Sequence, residues 1–157
     1  MKIKSIKWLL MLMCLPLLTA CGWEDLPAYE EAEISAVQFY YRWASSDKDP
    51  ITGEPVVKER QLGCTFTINS EAGTVDAKIT VPAVNDNIGF TEAVRSQVSL
   101  EKLWAQATIS TAARLTPIDG SAPLGTPDNW TTPHSYKVMA ANGDTKVWTI
   151  RVVEFNK

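Results

Sequence analysis

An all-β fold is what this sequence predicts: about seven short strands in a single domain, the pattern of a β-sandwich. Three observations carry it. From Ile34 onward, runs of seven to nine residues alternate apolar and polar side chains, the period-two signature of half-buried strands. Clusters of Gly, Pro, Asn and Asp separate those runs, as turns require. Of the 157 residues, the first twenty read as an export signal, and the remainder is enough for one core but too little for two.

Taken in order, Lys2, Lys4 and Lys7 precede an apolar run from Trp8 to Leu18, the charged-then-apolar order of an export signal. The run falls short of the ~20 apolar residues that a membrane-spanning helix needs. It closes with Leu18-Thr19-Ala20-Cys21, which resembles the lipobox of bacterial lipoproteins. The resemblance implies that residues 1–20 are a lipoprotein signal peptide cleaved before Cys21, with acyl chains on the Cys21 sulfur and its freed amine. Each buried CH2 contributes ~0.8 kcal/mol, so two or more chains hold a protein on a membrane. Gly22 stands where an aspartate would retain an enterobacterial lipoprotein in the inner membrane, which implies an outer-membrane address. Glu24-Asp25 resembles the acidic tags that send Bacteroidetes lipoproteins to the cell surface. Residues 21–33 are acidic, carry Pro27 and show no helical stripe, so beyond the lipidated cysteine they read as a flexible tether.

The domain proper is expected over 34–157. In AVQFYYRW (36–43), Val37, Phe39, Tyr41 and Trp43 share one face and Gln38, Tyr40 and Arg42 the other. Residues 44–61 read as a polar loop with a short edge strand at Val56-Val57. LGCTFTIN (62–69) and VDAKITV (75–81) form a hairpin around Ser70–Gly73, with Phe66 facing Ala77, Cys64 facing Ile79 and Leu62 facing Val81. A short helix is expected around Thr91–Arg95, then a strand ending near Ser110. Residues 116–134, with four prolines, read as a long ordered loop. The chain closes in a hairpin whose apolar pattern calls for a three-residue loop, Asn142–Asp144. That loop sets Val138 against Trp148 and Tyr136 against Ile150, with Gly143 or Asp144 left-handed.

At this level the sequence resembles the immunoglobulin-like domains of unknown function found in Bacteroidetes surface lipoproteins. The residues that carry the resemblance are Ile34–Phe39, AKITVP (77–82), ARLTPIDG (113–120) and above all YKVMAANGDTKVWTIRV (136–152). It implies an antiparallel immunoglobulin-like β-sandwich and brings no active site with it. Members usually precede a larger domain, whereas this sequence stops at Lys157.

Charge and cysteines narrow the function. The signal holds three of the fifteen basic residues and none of the eighteen acidic ones, leaving twelve against eighteen and a formal charge of −6, a surface unsuited to nucleic acid. Cys14 leaves with the signal and Cys21 is acylated, so Cys64 is alone and reads as a core residue without a disulfide. One cysteine and one histidine do not make a structural zinc site. The sequence contains no G-x-S-x-G, H-E-x-x-H, C-x-x-C or phosphate-cradling loop, and no cofactor is expected. His134 reads as a surface or strand-start residue, and Asp47, Asp49 and Glu54 as a solvated loop rather than a calcium site.

A non-catalytic module is therefore expected, anchored to the membrane by lipid. Aromatic rings suit the apolar faces of sugars, which makes Trp130, Tyr40 and Trp43 the candidate ligand-binding residues for a carbohydrate or for a glycan-uptake role. Trp104 and Trp148 read as core, and Trp130 stands where a packing aromatic would also fit. The alternative is a structural module that docks another envelope protein through a sheet edge or loop. An exposed aromatic platform favours the first reading; a bare edge strand without one favours the second.

Overall fold

The computed structural model describes residues 31–157, which fold into two packed β-sheets. Side-chain alternation decides the layers. Strand β1 (Ile34–Lys48) buries Val37, Phe39, Tyr41 and Trp43 and turns Gln38, Tyr40 and Arg42 outward. It is flanked by β2 (Pro55–Gln61) and β5 (Leu103–Ile109), both antiparallel to it, in a three-stranded sheet of order β2-β1-β5.

The second sheet contains β3 (Gly63–Asn69), β4 (Thr74–Thr80), β6 (Arg114–Ile118), β7 (His134–Met139) and β8 (Thr145–Asn156) in the order β3-β4-β8-β7-β6. Between the sheets, Phe39 and Val37 meet Val75, Ile79, Trp148 and Ile150 in one continuous core. Helix α1 (Glu92–Gln97) lies between β4 and β5, capped by the Thr91 hydroxyl accepting from the Val94 N–H, close to where the sequence placed it.

The chain changes sheets within a single residue. Leu62 links β2 to β3 and donates its N–H to the Phe39 carbonyl, so it stays with the first sheet. The expected pairing of Leu62 with Val81 therefore does not form, while Cys64 faces Ile79 and Phe66 faces Ala77 as the alternation required.

Several expectations need correction. Among the described residues the sandwich has eight strands, in keeping with the expected seven or so, but one pair, β4 with β8, is parallel rather than antiparallel. Gly73 admits it. This residue sits at φ +63°, and a Cβ there would lie 2.3 Å from the Val147 carbonyl oxygen, so only glycine lets β8 pass against the β3–β4 turn. The polar stretch 44–61 is mostly strand: β1 runs on to Lys48 and β2 carries Lys58, Glu59 and Arg60, tolerable because β2 is an edge. Residues 116–118 belong to β6, where Pro117 is acceptable on the outermost strand.

The last hairpin has a three-residue loop, but it is Ala141–Gly143, one position earlier than expected. Tyr136 faces Trp148 and Val138 faces Lys146, a register two residues away from the predicted one. Gly143 adopts φ +94°, and the Asn142 amide oxygen accepts from the Asp144 N–H; this local turn outweighs matching of apolar faces. The first strand begins at Ile34, where the domain was expected, and the residues just before it rest on the sheet. Glu33 pairs with Lys146, and the Ala32 carbonyl accepts from Trp148 Nε1 at 2.9 Å.

Candidate functional site

The aromatic residues fall into three situations, separated by what each ring packs against. Trp130, on the loop between β6 and β7, is 2 % exposed. Its ring meets Phe39 edge-on at 4.9 Å, and its Nε1 donates to the Leu103 carbonyl at 3.1 Å. A ligand has no access to it, which corrects its place among the binding candidates: the indole seals the core rather than facing solvent.

His134 supports the same plug. It starts β7 as expected but is buried, its ring tilted against Trp130 at 4.3 Å, with Nε2 against the Asn129 carbonyl at 2.9 Å and Nδ1 3.4 Å from Asp128. These contacts pin the loop. Burial, together with the Asp128 charge, pushes the neighbouring Tyr136 phenol up to about 12, so it stays a neutral donor to the Ala122 carbonyl.

Tyr40 lies on the outer face of the three-stranded sheet, directly opposite Trp104. The two rings stack at 4.3 Å, and the Arg42 guanidinium lies 4.1 Å from the same indole. Glu59 and the Gly125 carbonyl hold Arg42 there, both at 3.2 Å. Trp104 is thus an outer-face residue that its neighbours close to 3 % exposure, not a core residue and not a platform. The Tyr40 hydroxyl donates to Gln38 at 2.7 Å, and Gln38 lines a groove of about 500 Å³ between β5, β6 and the loop at Pro123–Gly125.

Trp43 is buried as well, 8 % exposed, which corrects its place among the open binding rings, but its surroundings differ. It ends the regular alternation of β1, packs on Phe90 at 5.5 Å, and touches the floor of a bowl of about 510 Å³. The far side comes from the turn Asp86–Ile88, which Asn85 caps through its side chain and Gly89 ends with left-handed φ. Asp86, Asn87 and Thr91 line that side, and Ser45, Asp47 and Lys58 the near side. Lys58 bonds Asp47 at 2.6 Å, and this hydrogen bond, then the ammonium charge, hold the Asp47 carboxyl below its ordinary value. The bowl therefore offers an anion, a cation, an amide and hydroxyls above a largely buried indole, a polar lining that suits a neutral polyhydroxylated ligand.

Sequence reasoning named Trp43 but missed Lys58, Asp86 and Asn87, which stand far from it in the chain. The asparagine- and glycine-flanked turn at 85–89 was the one available signal.

Other polar groups are engaged elsewhere. Asp49 accepts from the N–H groups of Ile51 and Thr52, which closes the turn between β1 and β2. Burial pushes the Cys64 thiol up to about 11, leaving it a poor nucleophile. Among the described residues no three His, Cys, Asp or Glu side chains converge as a metal site. Cys21 and residues 1–30 lie outside the described residues.

The comparisons with known proteins agree with this architecture. The family described as DUF5018-related matches residues 34–151. A crystal structure of a candidate secreted protein from Bacteroides fragilis NCTC 9343 is 51% identical, covers 83% of this chain and 100% of that chain, and superposes with a TM-score of 0.74. No curated protein matches.

Proposed function

The chain belongs to the DUF5018-related family, a family of domains of unknown function, and from that premise we propose a non-catalytic module of the cell envelope that binds carbohydrate in the bowl beside Trp43. Export and anchoring follow from residues 1–21: a signal peptide is removed, Cys21 is acylated, and the domain stands outside the outer membrane on its tether.

We read the sandwich itself as immunoglobulin-like with a displaced hairpin. In this reading β4, β5, β6, β7 and β8 take the places of strands A, B, C, F and G. The hairpin β1–β2, which comes first in the chain, fills the E and D places beside β5. The loop 119–133, carrying Trp130, lies between β6 and β7, where that hairpin would otherwise be inserted.

One observation carries the carbohydrate reading: Trp43, Asp47, Lys58, Asp86 and Asn87 converge on a cavity of about 510 Å³, large enough for one or two sugar rings. The test is a glycan array followed by calorimetry on residues 22–157, with Asp86→Ala and Asn87→Ala alongside. Both positions are exposed turn residues, so the fold should persist and binding should fall at least tenfold. An absence of binding to every glycan sinks this reading. A second reading, a docking module for another envelope protein, draws support from a bare sheet edge, because the described residues offer no exposed aromatic platform.

A further inference from the structure

Two open sheets have four edges, and three of them are protected among the described residues. Strand β2 begins at Pro55 and carries Lys58, Glu59 and Arg60. The edge of β5 is occupied by the following loop, whose Gly125 and Asp128 N–H groups donate to the carbonyls of Ala105 and Leu103. Strand β6 has only five residues, with Arg114 at its start and Pro117 within it. Each device is one by which proteins blunt an edge.

Strand β3 has none of them. Its sequence, GCTFTIN, contains no charge and no proline over seven residues, and among the described residues nothing pairs with its outer side. Phe66 at its centre is 38 % exposed, and Cys64 and Ile68 on the same face are only half-buried. The three-stranded sheet does not extend far enough to cover them.

We propose that β3 pairs antiparallel with β3 of a second copy, centred on Phe66, joining two five-stranded sheets into one across a two-fold axis. Self-pairing makes a specific demand on sequence. The axis sets the central residue against itself, and a charged centre would repel its own image, as Lys58 at the middle of β2 would. A foreign strand makes no such demand, since charges on it could be matched. The register that uses all seven residues sets Phe66 on Phe66, Cys64 on Ile68, Thr65 on Thr67 and Gly63 on Asn69. From Cys64 to Ile68 apolar side chains meet apolar ones and threonines meet threonines; only the end pair, Gly63 with Asn69, falls outside that pattern. Nearby charges do not oppose it: Asp76 and Lys78 on β4 already pair with Arg151 and Glu154.

The crystallised relative, all of whose chain lies within the match, supports the use of residues 22–157 as a folding unit. Light scattering at rising concentration should approach twice the chain mass. Phe66→Lys should weaken association at least tenfold. In a Cys64→Ala background, Phe66→Cys should oxidise to a disulfide-linked dimer, because the axis brings that position against itself. A chain that stays monomeric at every concentration overturns the proposal, as does association that Phe66→Lys leaves unchanged or an absent cross-link. Should Phe66→Lys unfold, the mass and the cross-link decide. Glycan binding is untouched by either result, since the bowl lies at Trp43.

Discussion

On one side of the sandwich the loop 119–133 lies along β5, gives it two backbone hydrogen bonds and drives Trp130 into the core; on the other side β3 ends its sheet with Phe66 half in water. Both sides face the same problem, an open strand edge above a hydrophobic interior. The β5 side solves it with a long segment of its own chain, ordered by Asx turns and prolines. The β3 side spends almost no chain, since β2 reaches β3 through Leu62 alone. A covered edge is rigid and closed to ligands, whereas a bare one is available for association.

The contrast can be broken most severely at Trp130. Trp130→Ala removes the plug, and the loss should be about 3–5 kcal/mol by chemical denaturation, the range for a buried aromatic. A loss under roughly 1 kcal/mol would mean that the loop is decoration and the core closes without it. Gly73→Ala tests the opposite side. Left-handed backbone costs roughly 1–3 kcal/mol for a residue with a Cβ, and the clash with the Val147 carbonyl adds to it. Hydrogen exchange should then show β3 and β4 loosening from β8 before β7 does. If exchange rises uniformly instead, the parallel pair is not the weak joint.

A smaller effect sharpens the picture at low pH. Hydrogen bonding from Arg151 holds the Asp76 carboxyl below its ordinary value, on the outer face of β4. A depressed carboxylate contributes stability that is present above its unfolded value, near 4, and is lost as pH falls through the folded value. The denaturation midpoint of the natural chain should therefore fall more steeply below about pH 4 than that of Asp76→Asn. Equal slopes would leave this exposed pair with no measurable role.

The legible parts of the fold were those in which one strand and its neighbour in sequence decide everything. Alternation placed Val37, Phe39, Tyr41 and Trp43 inside, and it set Cys64 on Ile79 and Phe66 on Ala77, because a slip of one residue would turn every apolar side chain outward. Where two registers both bury apolar residues, alternation stops deciding. In the last hairpin a turn built by Asn142 and Gly143 overrode the better apolar match. Composition also misled at 44–61, since charges that suggest a loop are compatible with an edge strand.

For the site, the sequence by itself marked the aromatic residues but not their surroundings. Trp130, in a proline-rich loop, and Trp43, at the end of an alternating run, both stand among polar neighbours in the chain and both read as candidates for a ligand. Whether an indole is a plug or the floor of a bowl depends on what packs against it. For Trp130 that is Phe39, His134 and the Leu103 carbonyl; for Trp43 it is Phe90 and a turn more than forty residues away. The alternation of side chains determined the strand class and the inward faces, because period two is a local property of extended backbone. The parallel closure of β4 on β8, the covering of β5 and the convergence of Lys58, Asp86 and Asn87 on Trp43 were decided only by tertiary structure, because each depends on segments distant in sequence meeting in space.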